Sequence, residues 1–415
     1  MYSKNGKKSI YLNNRIDIFV IILIFILIIS PLFFNVVSRL IAKSRQKDIY
    51  ISARCEEIFG GKIIETLARE FEKQNPGLRI TLLNVPGEKG KEPDILFFDE
   101  NEFNSLVSDG ALLSKESNPA IPLVSFMDLL FYNIELLKSA GFDRPPKTRD
   151  EFLNYAETIT VVNNGVSAGV APVFGSLNKI SLYRDIFSWV WAAGGNFWQN
   201  ENSAPVINTR SLINDFNFLA RLCRVQELSA NNFNMTDEQA LENFAKGKIA
   251  MIIASTRVIP AIREKMGDDA FGITTIPGLG TAAKYGISLT GIFAGINKNC
   301  TYPSSAQIFL DFLAEKSPFL CEQLKAVPGY VPELISGDYK NYIKEDNFYA
   351  KAWDIFESST VVRGFLGETG ALEYENAVLE EIRSFFRNDR SAQETVTAIQ
   401  RRWDKVFEQA LSPSP

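Results

Sequence analysis

The chain has 415 residues, of which 46% are hydrophobic and 22% charged, as expected for a globular protein with two or three domains. It contains no histidine, which excludes His-dependent triads, His general bases and the usual zinc sites. The net charge of −5 and the lack of a basic stripe with interleaved aromatics argue against a nucleic-acid partner. Its four cysteines do not have the spacing of a metal site. A disulfide between Cys300 and Cys321 is possible outside the cytoplasm, but the spacing does not decide it.

The N-terminal segment 18–38, IFVIILIFILIISPLFFNVVS, carries no charge and is long enough to span the hydrocarbon layer as a helix. The alternative is a cleaved secretion signal, but signal cores are shorter and end in small residues, and the following SRLIAKSRQ offers no such site. Basic residues balance on the two sides, so the positive-inside rule gives no orientation. The sequence therefore predicts that residues 1–47 form a tail and a single transmembrane anchor in the lipid bilayer.

After residue 47 the pattern alternates between strand and helix. DIYISARC (48–55), LRITLLNV (78–85) and PDILFFD (93–99) are short apolar runs and are predicted strands. The β-α-β-α-β order that they form with the intervening helices is typical of an open sheet covered by helices. In such sheets ligands bind beyond the carboxyl ends of the strands, which makes Asp99 and Glu100 candidate binding residues.

The stretch 129–152, LLFYNIELLKSAGFDRPPKTRDEF, predicts a buried strand followed by two helices with a defined joint. Asn133 is a good N-cap for the first helix, and Gly141 is suited to the left-handed turn at its end. Thr148 and Glu151 have the spacing of a capping box that starts the second helix. Capping alone assigns no function, but it fixes where the chain turns.

A second α/β region follows this joint. Helices are predicted at DEFLNYAETIT, SLYRDIFSWVWAAGG, TRSLINDFNFLARLCRVQEL and TDEQALENFAKGK, and apolar strands at IAMIIAS, AFGITTIPG and GIFAGINKN. The remainder is mostly helical, and no internal repeat is present.

These segments together resemble the family 1 extracellular solute-binding proteins, which deliver sugars and similar solutes to ABC importers. The resemblance rests on the ordered series ETLAREFEKQNPGLRITLLNV, PDILFFD, the joint described above, WAAGGNF, TDEQALENFAKGKIAMIIAS, FGITTIPG, FAGINKN and PGYVPE. It covers roughly residues 49–410. The retained apolar segment departs from the family, whose members are usually freed by signal cleavage or tethered by a lipid.

The resemblance implies an α/β, two-lobed periplasmic-binding-protein-like (class II) fold with hinge-crossing strands, here preceded by one N-terminal transmembrane helix. The first lobe is expected over 48–124 plus 273–316, and the second over 125–272 plus 317–415. A solute touches both lobes only when the cleft between them is closed, so its binding energy shifts the open–closed equilibrium. The resemblance also implies that ABC permease subunits recognise the closed form. It further implies that the binding domain lies on the extracytoplasmic face of the membrane.

The expected cleft combines aromatic platforms for sugar rings with a few fixed polar groups. Arg257 stands where relatives often carry an aromatic residue, which favours a more polar or acidic ligand. Any single aromatic could instead be core packing, and Arg257 could instead form a surface ion pair. No catalytic residue, metal or cofactor is predicted. The ligand-binding candidates are Phe98, Asp99, Glu100, Phe126, Trp189, Trp191, Arg257, Thr290, Gly291, Tyr330 and Tyr374.

Two other functions compete with transport. The S-x-x-K pattern at 176–179 lacks the SDN and KTG elements of serine acyltransferases. A glycosidase would need two carboxylates at a fixed separation, and nothing in the spacing of Asp99, Glu100, Glu373 and Glu375 requires it. The other alternative is a membrane-anchored sensor module that binds a ligand and works with a signalling partner.

Overall fold

A computed structural model describes residues 46–411, apart from 53, 84–89, 114–118, 163–181, 201–202, 228–234, 281–284, 327–344, 363 and 388. The predicted membrane segment 18–38 and the candidate Tyr330 lie outside the described residues. No helix within the described part of the chain is both long and apolar enough to cross a bilayer.

The described strands are β1 Lys47–Ser52, β2 Leu78–Leu83, β3 Ile95–Asp99, β4 Ile121–Asn133, β5 Met251–Ser255, β6 Phe271–Thr274, β7 Gly286–Ile287, β8 Leu289–Ile296 and β9 Thr360–Val361. The helices before β6 are α1 Arg54–Phe59, α2 Gly61–Gln74, α3 Glu100–Ser108, α4 Ile134–Ser139, α5 Arg149–Val162, α6 Leu182–Ala192, α7 Arg210–Glu227, α8 Asp237–Ala245 and α9 Ile259–Met266. The helices after β8 are α10 Pro303–Glu315, α11 Ser317–Leu324, α12 Asn347–Ser358, α13 Ala371–Phe386 and α14 Ala392–Leu411.

One sheet connects most of these strands, in the order β2-β1-β3-β8-β4-β5, with β6 also paired to β4. β1 runs parallel to β2 and β3, whereas β8 is antiparallel to both β3 and β4. The three strands predicted after residue 47 are confirmed as β1, β2 and β3, each shorter than the apolar run that predicted it. A small parallel ladder joins β7 and β9.

β4 is the strand that crosses the molecule. Its first half, to Met127, pairs with β8, and its second half, from Asp128, pairs with β5 and β6. Thirteen extended residues span about 40 Å, so one strand serves two bodies. We call the body around β1, β2, β3, β8 and the start of β4 the first lobe, and the body around β5, β6 and the end of β4 the second lobe.

Each lobe has its own core. The first core packs the sheet against α1, α2, α10 and α11, with Phe71 contacting the rings of Phe309 and Phe312 edge-on. Two further cores cover the two faces of the second lobe: the larger contains α5, α6, α7, α13 and α14, and the smaller contains α9 and α12. A division of this kind, with a connecting strand, is what a two-lobed α/β fold requires.

Two segments lie at the expected lobe boundaries. Helix α11 begins at the boundary expected after residue 316; its Leu320 and Cys321 lie in the first core, and the Ser317 hydroxyl donates to the carbonyl of Leu123 at 2.5 Å. The boundary expected between residues 272 and 273 falls inside β6, which pairs with the second half of β4, and Ile273 is in a second-lobe core. Cys300 and Cys321 are not joined by a disulfide.

The joint between α4 and α5 forms largely as the local sequence predicts. The Asn133 side chain accepts the backbone N–H of Leu136 at 3.0 Å and so caps α4, and Gly141 adopts a φ of 89°. The backbone N–H of Glu151 donates to the Thr148 hydroxyl at 3.2 Å. The Glu151 carboxylate also accepts the backbone N–H of Lys147 at 2.7 Å, one residue before Thr148.

Candidate functional site

We call the boundary between the lobes, where β4 passes from the first lobe to the second, the cleft. Phe126 on β4 is opposite Thr290 on β8, and Asp99 at the end of β3 is opposite Ile292. Gly291 therefore lies between the end of β3 and the middle of β4. Several predicted site residues thus converge at one place, because the carboxyl ends of β1 and β3 point toward the second lobe.

Arg184, from α6 in the second lobe, is held between two carboxylates at this place. Its Nη1 lies 3.1 Å from Oε1 of Glu100, and its Nε lies 3.4 Å from Oδ2 of Asp128. The other oxygen of Glu100 accepts the backbone N–H of Gly291 at 3.2 Å. Burial alone would lower the pKa of Arg184, but Asp128 and Glu100 together raise it above its usual value. A first-lobe carboxylate and a second-lobe guanidinium therefore already form an ion pair across the cleft.

A second polar contact joins the lobes one helical turn further along α3. The Asn104 side-chain amide donates to Oε1 of Glu375 at 2.7 Å and accepts the backbone N–H of Gly367 at 2.8 Å. Burial raises the pKa of Glu375 to about 7, even though hydrogen bonds from Tyr183 and Asn104 favour its ionised form. Burial, and then the charge of Glu375, raises the pKa of the Tyr183 hydroxyl.

Arg257 lies beside the crossing strand with its side chain exposed to solvent. Its guanidinium carbon is 5.6 Å from the centroid of the buried Phe126 ring, which is within cation–π range. The neighbouring Thr256 hydroxyl accepts the backbone N–H of Met127 at 3.3 Å, which ties the turn after β5 to β4. Arg257 forms no ion pair with any carboxylate in the described part of the chain, so the surface ion pair considered from the sequence is not seen there.

The first-lobe side of the cleft, which we call the first-lobe wall, contains a cation that the sequence patterns did not indicate as a site residue. Arg54 lies just after β1, with Nη2 at 3.4 Å from Oδ2 of Asp99 and at 2.9 Å from Oε2 of Glu102. Asp99 is also the N-cap of α3, where its side chain accepts the backbone N–H groups of Asn101 and Glu102. The rule that binding groups follow strand ends would have selected Arg54, because β1 is parallel to β3.

Most of the aromatic candidates are packed inside the lobes. Phe98 stacks on Phe293, and Trp189 packs edge-on to Phe152 at 4.8 Å. The rings of Trp191 and Tyr374 belong to the large second-lobe core. The candidates that are 2% exposed or less are Phe98, Phe126, Trp189, Trp191 and Tyr374.

Such complete burial leaves no ring face for a solute in this conformation. Among the candidates, the groups that the structure brings together at the cleft are polar or backbone groups: Asp99, Glu100, Arg257, Thr290 and Gly291. In an aromatic helix such as SLYRDIFSWVWA, the sequence does not distinguish a ring that stacks on a solute from a ring that packs in the core. Arg184, Asp128, Asn104 and Glu375 were missed as binding or bridging residues because their partners are distant along the chain.

A surface depression of about 560 Å³ lies elsewhere, at the outer end of the second lobe near Asn133 and Ala270. Two lysines that line it, Lys246 and Lys265, already pair with Glu242. We do not place the site there, because the convergent buried polar groups lie at the cleft.

Comparison with known proteins agrees with this architecture. Residues 60–317, more than half of the chain, match the family described as bacterial extracellular solute-binding protein. The fold is similar to that of UgpB from Mycobacterium tuberculosis in complex with glycerophosphocholine, with a TM-score of 0.68 and 17% identity over 88% of this chain and 100% of that one.

Two further structures share this fold. The cyclic alpha-maltosyl-1,6-maltose binding protein from Arthrobacter globiformis gives a TM-score of 0.67 and 15% identity, covering 88% of this chain and 100% of that one. An ABC transporter solute-binding protein from Thermotoga lettingae bound with alpha-D-tagatose gives 0.63 and 18%, with the same coverage. The match over residues 60–317, together with two lobes joined through β4, shows that this chain belongs to the bacterial extracellular solute-binding protein family.

Proposed function

We propose that this chain is the extracytoplasmic solute-binding component of an ABC transporter, and that it holds a sugar or a similar small polar solute between its lobes. The observation that carries the proposal is the ion pair between Glu100 of the first lobe and Arg184 of the second. It places groups from both lobes within reach of one small molecule. One structure of the same fold holds glycerophosphocholine, another holds alpha-D-tagatose, and a third is that of a cyclic alpha-maltosyl-1,6-maltose binding protein; all three solutes are polar.

The proposed site uses both walls of the cleft. Asp99, Glu100, Thr290 and Gly291 supply the first-lobe wall, and Arg257 lies beside the crossing strand. Asp128 and Arg184 are added from the structure, and Tyr330 remains a proposal from the sequence. Carboxylates accept hydrogen bonds from solute hydroxyls, and a guanidinium donates to hydroxyl or anionic oxygens.

Binding would act on the lobes through β4. This strand runs without a break from one lobe into the other, so a small change in its dihedral angles rotates one lobe against the other. A solute that contacts both walls is bound fully only when the lobes are close together, and its binding energy therefore favours closure. ABC permease subunits would then recognise the closed surface formed by both lobes.

We also propose that the apolar segment 18–38 anchors the chain in the cell membrane and leaves the lobes on the extracytoplasmic face. Its length and lack of charge support a spanning helix. An anchored binding protein stays close to its permease, which raises the effective concentration of each at the other.

A thermal-shift screen of polar solutes, followed by calorimetry and small-angle scattering, tests the binding proposal. A solute at a hundred times its Kd stabilises the folded state by about 2.7 kcal/mol and should also reduce the radius of gyration. The variant Arg257→Ala should weaken binding without altering the melting temperature of the empty protein, whereas Lys351→Ala, an exposed second-lobe control, should change neither. Turnover of a solute, or binding without compaction, would contradict the proposal.

A further inference from the structure

The end of the first lobe that lies opposite the cleft has a distinct surface. β1, β2 and β3 are parallel, so their carboxyl ends lie at the cleft and their starts lie at this other end. Lys47 opens β1 there, and its backbone N–H donates to the carbonyl of Gly77, just before β2, at 3.0 Å. We call this surface the first-lobe base and define it by Lys47, Lys73, Lys91, Lys298 and Tyr302.

The first-lobe base carries cations that other side chains do not neutralise. All four lysines are exposed, and none forms an ion pair with a carboxylate in the portion of the chain that the structure describes. The Lys47 ammonium lies 4.8 Å from the centre of the Tyr302 ring, which is itself 43% exposed. Acids lie at this end as well, and most of them already have partners. Asp48 pairs with Arg79 at 2.8 Å, and Glu72 accepts the backbone N–H of Ile80 at 2.9 Å. Asp94 is buried and accepts the backbone N–H of Tyr50, Glu92 accepts from Asn299 at 3.3 Å, and Asp109 is exposed. The surface therefore presents four exposed lysines with an exposed aromatic ring beside them.

The sequence limits how far this surface can lie from a membrane. Only eight residues, 39–46, separate the predicted membrane segment from Lys47. Fully extended, they reach at most about 28 Å. This connector is itself basic, with Arg39, Lys43 and Arg45. Whatever the connector's conformation, an anchored chain must hold the first-lobe base near the headgroups.

We infer that the first-lobe base is a membrane-contacting surface that binds anionic lipid headgroups, with Tyr302 at the interface and the lysines over the phosphates. This inference rests on the anchor in the proposed function. Each lysine near an anionic bilayer contributes on the order of 1 kcal/mol, and tyrosine favours the membrane–water boundary. The contact is electrostatic and is therefore weakened by salt.

The contact would orient the cleft. The six residues of β1 separate the first-lobe base from the cleft by about 20 Å. A protein resting on this base keeps the mouth of the cleft away from the bilayer and open to solutes. Because a permease must meet both lobes, the contact has to be weak enough to release.

Fluorescence quenching in nanodiscs tests the inference with the full-length chain. The discs contain brominated phosphatidylcholine, with or without 30% phosphatidylglycerol, and the probes are Tyr302→Trp and Leu279→Trp. Leu279 is an exposed second-lobe residue and serves as the matched control. We expect at least threefold more quenching in Tyr302→Trp than in Leu279→Trp on anionic discs, and loss of most of that excess in 0.5 M salt.

Charge reversal provides the second arm. Adding Lys73→Glu and Lys298→Glu to Tyr302→Trp should remove at least half of the excess quenching, whereas Lys351→Glu with Lys405→Glu on the second lobe should not. Equal quenching of the two probes while the chain stays in the disc overturns the base contact and leaves the anchor intact. Release of the chain from the disc overturns both. Excess quenching that is equal on neutral discs overturns the role of anionic headgroups.

Discussion

Asn104 of the first lobe and Glu375 of the second are joined by a hydrogen bond of 2.7 Å, although they are 271 residues apart in the chain. The other end of the same amide accepts the backbone N–H of Gly367. Both hydrogen-bonding groups of a buried side chain are thus used to hold the opposite lobe. The lobes are connected here by a contact that is separate from the Glu100–Arg184 ion pair and that a solute need not touch.

Asn104→Ala should therefore weaken the association of the lobes. The substitution removes two hydrogen bonds and leaves the Glu375 carboxyl with fewer partners, at an expected cost of about 1–3 kcal/mol. Chemical denaturation should show the loss of stability, and small-angle scattering should show a larger radius of gyration. Asn101→Ala, at an exposed position on the same helix, is the control. Wild-type stability and radius in Asn104→Ala would refute the bridging role.

The raised pKa of Glu375 predicts a specific pH dependence. The folded state binds this proton more tightly than the unfolded state, whose carboxyl has its ordinary pKa near 4.5. The stabilisation is thus fully present below pH 4.5 and is lost as pH rises through about 7. The whole effect is on the order of 3 kcal/mol.

Glu375→Gln should remove this dependence, because an amide has the shape of the protonated acid and does not titrate. The measurement is the difference in melting temperature between wild type and Glu375→Gln from pH 4.5 to 8. This difference should grow with pH in favour of the variant. A difference that is constant across the range would show that Glu375 does not titrate in this window.

Arg184 should be more important for stability than an ordinary surface cation. Arg184→Met would leave Glu100 and Asp128 without their common partner in a poorly hydrated place, at a cost of about 3–5 kcal/mol at pH 7. Urea denaturation of the variant and the wild type at pH 7 measures this cost.

A matched control is available on the surface. Arg221 pairs with Asp150 at 3.6 Å, with both side chains mostly exposed, so Arg221→Met should cost at most about 1 kcal/mol. Equal losses in Arg184→Met and Arg221→Met would mean that the cleft ion pair is solvated like any surface pair.

How far the sequence predicts this molecule depends on the range of the interactions. β1 to β3 and the Asn133 cap depend on neighbouring residues, and local patterns found them. The pairing of Arg184 with Glu100 depends on how two lobes come together, which no local pattern contains. The same holds for the rings of Trp189 and Trp191, because the sequence of an aromatic helix is the same whether its rings face a cleft or a core. Here both rings fill the second-lobe core.

Gly291 was predicted at the cleft from the resemblance, and the structure gives a packing reason for glycine there. A Cβ at this position would lie 2.5 Å from the carbonyl oxygen of Val124 on β4, closer than real contacts allow. Gly291→Ala should thus push β8 away from the crossing strand and weaken the N–H···Glu100 bond, at a cost of about 1–3 kcal/mol. Gly77→Ala, where a Cβ meets nothing within 4 Å, is the control.

Urea denaturation compares the two variants, and solute affinity is then measured on the folded fraction. Because the clash lies on the strands that form the cleft wall, Gly291→Ala should lose affinity as well as stability. Full affinity in a destabilised Gly291→Ala would separate the packing role of this glycine from any role in the site.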